Sequence, residues 1–248
     1  LTGSRLCAEA VTLTAGDAKS DAMVIVKGAG EFELHATKSL GVFATSTATG
    51  HAKFTGGASL DIVAGSSIVG AKSVTAQADD VVVNGSIAVA GNITLTSKAG
   101  LVVGQDVKLS TPSAIKFTVG GALKLLGSAY SAASLVVKTG QLSIAASSEI
   151  VGVGKVELAV TGAKGATLGG QVSGAEQFVL ASKVLQMTAG SNISTSDQVA
   201  LLVTGDVVVG GSVSDNKSVL VQTGNFTIKA GASFVSNTSC AISGTKQV

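Results

Sequence analysis

The sequence predicts an all-β fold, a single-stranded parallel β-solenoid (β-helix) of about twelve coils of about 20 residues. Three observations predict it. One phrase recurs along the chain, apolar and polar residues alternate inside each phrase, and glycine or small polar residues end each apolar run. Proline occurs once and tryptophan is absent, which suits long backbone ladders around a narrow interior.

The phrases follow one another without a gap, so residues 1–248 are predicted to form one continuous β-solenoid. Each phrase begins at an apolar run and closes at a polar turn. In chain order the phrases are residues 11–30, 31–50, 51–72, 73–91, 92–113, 114–133, 134–154, 155–176, 177–197, 198–216 and 217–237.

The last of these phrases, KSVLVQTGNFTIKAGASFVSN, shows the pattern: two short apolar runs, each stopped by glycine, then a polar turn. Runs such as VELAV and VLVQT have the period of two that is typical of strands. Glycine and β-branched residues interrupt every candidate helix. We therefore interpret nearly every phrase as strand, glycine turn, strand and polar turn.

Stacking is required because a single phrase cannot bury its own apolar face. Parallel coils about 4.8 Å apart would give a rod of roughly 55 to 60 Å. Pro112, in the segment LSTPSA, is expected in a turn, where a missing N–H does least harm. A pair of β-sandwich domains is the alternative fold, because sandwiches also use short strands at this spacing.

The two ends of the chain read as two halves of one coil. Residues 238–248 and 1–9, written tail to head, give a coil of normal length in which CAISG and QVLTG take the strand places. The sequence therefore predicts head-to-tail continuation, either between separate copies or as one period of a longer tandem chain. No capping helix or charged closing segment is apparent, and a bare end coil would expose unpaired strand edges.

The two cysteines, Cys7 and Cys240, both fall in this junction coil. One interpretation is a disulfide that joins one unit to the next in an oxidising compartment. The other is a pair of inert, buried thiols.

All six asparagines begin an N-x-[ST] triplet, the acceptor pattern for N-glycosylation. Those expected in turns are Asn84, Asn192, Asn216 and Asn237, whereas Asn92 and Asn225 are expected to open strands. The alternative is that asparagine favours turns and threonine favours strands, so that the fold itself generates the pattern. The hypothesis is a secreted glycoprotein.

Composition argues against several classes of function. The net charge is +2, the one arginine is Arg5, and aromatic residues are 3%, so neither the basic face nor the stacking platforms of a nucleic-acid-binding protein are expected. Membrane insertion is not expected, because the apolar runs are short. We also expect no enzyme activity and no cofactor.

The candidate chemical sites are weak. His35 and His51 lack a third metal ligand, and Glu31 and Glu33 on one strand face are expected to be a solvated pair. The segment ATSTATG resembles one threonine row of an ice-binding face, but the corresponding segments LDIVAG and SIAVAG lack threonine.

The segments NITLTSKAG, QLSIAASSEIVG and NFTIKAGASFVSN resemble the repeats of filamentous-haemagglutinin-type adhesins. The resemblance covers most of the chain at the level of the repeat. It implies a long parallel β-helix that serves adhesion or forms a stalk, and it transfers no functional residue.

From these features we expect a structural building block of an extracellular filament or stalk, secreted or at the cell surface and assembled end to end by β-strand stacking. Its expected partner is another copy of itself. The alternative is a cell-surface adhesin that binds a receptor or glycan through the turns of the solenoid.

Overall fold

The computed structural model describes the backbone of residues 5–6, 10–15, 24–28, 30–42, 44–174 and 176–244, and the side chains of residues 30–42, 49–174 and 176–244. The described residues form a continuous stack of parallel strands and contain no helix, so the predicted β-solenoid is confirmed. No helix among these residues is long and apolar enough to cross a membrane.

Each coil has three sides, and each side is a ladder of parallel strands. Side 1 contains the longest inward-facing runs. Its strands are β2 (Ala10–Ala15), β4 (Glu31–Ala36), β7 (His51–Gly56), the first halves of β10 (Ser73–Val83), β12 (Ile93–Val103), β14 (Ile115–Leu125) and β16 (Ser134–Ile144), then β18 (Lys155–Val160), β21 (Gln177–Ser182), β24 (Gln198–Val203), β27 (Ser218–Thr223) and β30 (Ser239–Gly244).

Side 2 follows side 1 around a corner, and four strands pass through that corner without a break. Its strands are β5 (Ser39–Val42), β8 (Ser59–Ile62), the second halves of β10, β12, β14 and β16, then β19 (Ala166–Leu168), β22 (Leu185–Met187), β25 (Asp206–Val209) and β28 (Asn225–Ile228).

Side 3 closes the coil with short strands. They are β1 (Arg5–Leu6), β3 (Val24–Gly28), β6 (Ala44–Ala48), β9 (Ser67–Val69), β11 (Ser86–Ala88), β13 (Lys108–Thr111), β15 (Ser128–Ser131), β17 (Glu149–Gly152), β20 (Gln171–Gly174), β23 (Asn192–Thr195), β26 (Ser212–Asp215) and β29 (Ser233–Ser236).

Among the described residues, ten coils have a strand on all three sides, and we number them 1 to 10 by their side-1 strands, from β4 in coil 1 to β27 in coil 10. Further described strands precede and follow them. Partners on side 1 lie 19 to 22 residues apart, in agreement with the predicted period.

The expected count of two strands in each phrase was wrong, because side 3 adds a third. Its strands carry one apolar residue between small polar ones, as in NIST and SVSD, so the sequence pattern resembles a polar turn. In the structure Ile193 and Val213 point inward and are buried. Pro112 lies in a bend after β13, as expected.

The core is a set of in-register stacks. One side-1 stack contains Leu34, Phe54, Ala76, Leu95, Phe117, Val137, Leu158, Leu180, Leu201 and Val221, all buried. Large side chains lie next to small ones in the stacks, as where Phe32 pairs with Ala52. The rings of Phe32 and Phe54 pack edge to face with their centroids 5.7 Å apart. This alternation matches large side chains with small ones across a narrow interior.

Hydroxyl groups occupy the corner between sides 1 and 2. The Oγ1 atoms of Thr139 and Thr223 each lie within hydrogen-bond distance of two carbonyl oxygens, one of their own coil and one of the preceding coil, and each hydroxyl shares its single O–H between the two. These hydroxyls add side-chain hydrogen bonds to backbone carbonyls where the chain bends.

Candidate functional surfaces

The face of the rod at coil 10 is a cross-section of the core. Ile228 of β28 and Ile242 of β30 hold inward positions in the register, yet they are 51% and 46% exposed because no described coil covers them. The equivalent Val221, one coil earlier, is fully buried. The rings of Phe226 and Phe234 pack edge to face at this end face, with their centroids 5.4 Å apart.

Cys240 belongs to this end face. Its register partner is Val219, a core residue of coil 10, so Cys240 occupies an inward position and is exposed only because it lies at the end of the described stack. Cys7 lies outside the described residues, and the disulfide between Cys7 and Cys240 stays a prediction. The same holds for the half coils at residues 1–9 and 238–248, of which the structure describes Arg5–Leu6 and residues 238–244.

The six asparagines lie on the outside of the rod, and their occupancy stays a prediction. Asn84, Asn92, Asn216 and Asn237 are exposed, whereas Asn192 and Asn225 are half-buried as the first residues of β23 and β28. Asn192 was expected in a turn, and it instead opens a strand. Asn92 directly precedes β12.

Most of these amides bond to the neighbouring coil. Asn225 donates to Asp206 over 2.6 Å, Asn192 accepts from the Ser212 hydroxyl over 2.8 Å, and Asn84 donates to Asp61 over 3.4 Å. Burial raises the pKa of the Asp61 carboxyl, and the bond from Asn84 opposes that shift.

The side-1 histidines and glutamates do not form a cluster. Glu33 pairs with Lys53 at 2.7 Å, and His51 Nδ1 lies 2.6 Å from the Ser73 hydroxyl. The described residues contain no group of three or more His, Cys, Asp or Glu side chains that could hold a metal ion.

Side 3 carries one contact that the sequence did not predict. The Tyr130 hydroxyl donates to Glu149 Oε2 over 2.6 Å, between neighbouring coils. The two residues lie 19 positions apart in the sequence, and only the register of β15 and β17 brings them together.

No protein-family model matches the chain, and neither a curated protein nor a solved structure matches it.

Proposed function

We propose that this chain is a structural building block of an extracellular filament or stalk, assembled end to end by β-strand stacking. The single observation that carries the proposal is the end face at coil 10. There the register of β28 and β30 places apolar side chains and strand edges where a further coil would pack.

Both features favour a further coil on that face. An open parallel edge presents unpaired N–H and C=O groups that template another strand. Ile228 and Ile242 add apolar surface that gains free energy when water leaves it. The covering coil belongs either to a second copy or to a longer tandem chain, and both arrangements continue the rod.

The six N-x-[ST] triplets support an extracellular location for this rod. Four of their asparagines, Asn84, Asn92, Asn216 and Asn237, are exposed on the outer surface, where a glycan would point away from the core. The mechanical role follows from the ladders, because pulling along the rod loads many parallel backbone hydrogen bonds.

Electron microscopy and light scattering test the proposal on the purified chain, with and without reductant. We expect end-to-end filaments, with a repeat of roughly 55 to 60 Å if each unit contributes about twelve coils. Shortening under reductant would assign the junction to Cys7 and Cys240. Single rods at every protein concentration would contradict the proposal.

A substitution at the end face sharpens this test. Ile242→Lys places an ammonium group in the stacking interface and is expected to yield single rods. The matched control is Val153→Lys, since Val153 is similarly exposed, at 51%, but lies on the lateral surface. Equal loss of filaments in both variants would argue against stacking through coil 10.

A further inference from the structure

The corner between sides 1 and 2 has a groove of about 290 Å³ in coils 5 to 7. Gly121, Gly140 and Gly162, one from each coil, form its floor. Gln141 and Lys164 also line it. The groove therefore runs along the rod axis rather than around the coil.

The floor is bare backbone because the coils approach too closely there for side chains. A Cβ atom on Gly121 would lie 2.0 Å from the carbonyl oxygen of Ala99, and one on Gly162 would lie 2.2 Å from that of Gly140. The N–H of Gly162 donates to the same Gly140 oxygen over 2.7 Å. The glycines thus fix a smooth, rigid floor.

Coil 7 widens the corner. Five residues, 161–165, connect β18 to β19. In the preceding coil only residues 140–141 separate the positions that pair with the end of β18 and the start of β19. Gly165, at a φ of +67°, allows this loop, and its carbonyl accepts the N–H of Leu142 over 3.2 Å. The loop carries Lys164 at the edge of the groove.

Four exposed lysines surround the groove. Lys124 lies beside it on side 2, Lys138 lies beside it on side 1, Lys164 is in its wall, and Lys183 follows at the same corner in coil 8. Among the described residues, none of the four has a carboxylate within ion-pair distance.

Few acidic side chains lie near these lysines within coils 5 to 7. Residues 107–148 contain no aspartate or glutamate. Lys138 has Thr118 and Ala159 as its register neighbours. Asp79 pairs with Lys98 at 2.7 Å and Glu157 with Lys155 at 2.9 Å. Among the described side chains, Asp80 in coil 3 and Asp206 in coil 9 have no lysine within ion-pair distance, and both lie outside coils 5 to 7.

We propose that this groove binds an acidic polysaccharide, a linear sugar chain bearing carboxylate or sulfate groups, laid along the rod axis. Successive coils are about 4.8 Å apart, so the lysines present charges at intervals suited to an extended polyanion. The side-chain amide of Gln141 offers a hydrogen-bond donor and acceptor for sugar hydroxyls.

The chemistry of the surface selects a polysaccharide over a nucleic acid. No aromatic side chain lines the groove, and the one arginine of the chain is Arg5. Single-stranded nucleic acids are held mainly by stacking on aromatic rings and by arginine. Lysine ammonium groups are compact point charges, which pair with isolated carboxylate or sulfate groups without stacking.

The test measures binding of three glycans to the purified chain by calorimetry at low and at physiological ionic strength. The probes are oligogalacturonate, dextran sulfate and neutral dextran. We expect binding of oligogalacturonate, dextran sulfate or both, weakening as salt is added, and none of neutral dextran. A preference for one anion would identify the charged group.

The triple variant K124Q/K138Q/K164Q removes three of the four charges. We expect it to weaken binding by about tenfold or more, since each exposed pair contributes modestly and the three act together. All three side chains are exposed, so the fold is expected to persist, and circular dichroism checks this.

The matched control is K72Q/K108Q/K229Q, which removes the same charge from exposed lysines outside the groove. We expect it to leave affinity within about twofold of the parent chain, because distant exposed charges are screened. Equal losses in the two triple variants would overturn the proposal, as would tighter binding of a single-stranded oligonucleotide or no binding of either polyanion.

This inference does not depend on end-to-end assembly, because every residue of the groove belongs to one rod. A single rod that binds the polyanion would support the inference while contradicting the filament proposal. Filaments without polyanion binding would do the reverse.

Discussion

At the scale of single residues, Tyr130 offers a clean spectroscopic test of the register. It is the one tyrosine of a chain without tryptophan, so the absorbance of phenolate reports this side chain alone. The hydrogen bond to Glu149 raises the pKa of Tyr130, and burial raises it further, while a bond from Ser128 opposes the shift.

We expect an alkaline titration of Tyr130 to have its midpoint above the ordinary value of 10.0. Because the folded state favours the neutral phenol, this contribution to stability is present below that value and is lost as pH rises through the folded pKa. Glu149→Gln is expected to move the midpoint down. Glu157→Gln is the control, since Glu157 pairs with Lys155 and not with Tyr130. Coincident curves for the parent and Glu149→Gln would contradict the register of β15 and β17.

Residue identity alone revealed which side chains could be buried, but not which would meet. The inward residues of side 1 follow from the alternation of apolar and polar residues. The contact of Tyr130 with Glu149 instead depends on the number of residues in each coil, including its corners. That number varies by up to three residues between neighbouring coils.

At the scale of the strand and its corner, glycine sets how closely coils can stack. A Cβ atom on Gly57 would lie 1.9 Å from the Thr37 carbonyl oxygen, so the backbone must move in Gly57→Ala. We expect this variant to lose about 1 to 3 kcal/mol of unfolding free energy, measured by denaturant titration.

Gly174→Ala is the matched control for Gly57→Ala. A Cβ atom there meets its nearest neighbour, the Gln177 carbonyl oxygen, at 3.4 Å, which is an ordinary contact. We expect a change within about 0.5 kcal/mol. If the two variants unfold at the same denaturant concentration, Gly57 is not required for close backbone stacking at the corner between sides 1 and 2.

The strands of sides 1 and 2 could be predicted because each has two or three inward apolar residues in a period of two. The strands of side 3 could not, since a strand such as SVSD buries one apolar residue, Val213, between serines. A four-residue strand shows too little alternation of apolar and polar residues to be distinguished from a turn.

At the scale of the whole molecule, the period of the sequence predicted the solenoid but not its surfaces. A repeat of 19 to 22 residues requires a stack of coils, whatever the outer residues are. The basic groove depends on which corner each lysine reaches. Lys138 and Lys164 are 26 positions apart, and the long loop of coil 7 places Lys164 at the corner next to the side-1 position of Lys138.

A stack in which each coil contacts only its neighbours is expected to open from its ends. Hydrogen exchange followed by mass spectrometry should therefore show the slowest amides in β12, β14 and β16. The fastest among the described strands should lie at the two ends of the stack, in β1 and β2 and in β28, β29 and β30. The central strands pair on both sides over eleven residues, whereas the end strands have one described neighbour.

The same measurement connects the end face to assembly. If a further coil covers coil 10 in the filament, exchange in β28 and β30 should slow as protein concentration rises, while exchange in β14 stays constant. Ile242→Lys should abolish this dependence without changing the centre of the rod. Exchange that is uniform along the rod, or independent of concentration at the end where filaments are visible, would mean that the filaments grow through a lateral face instead.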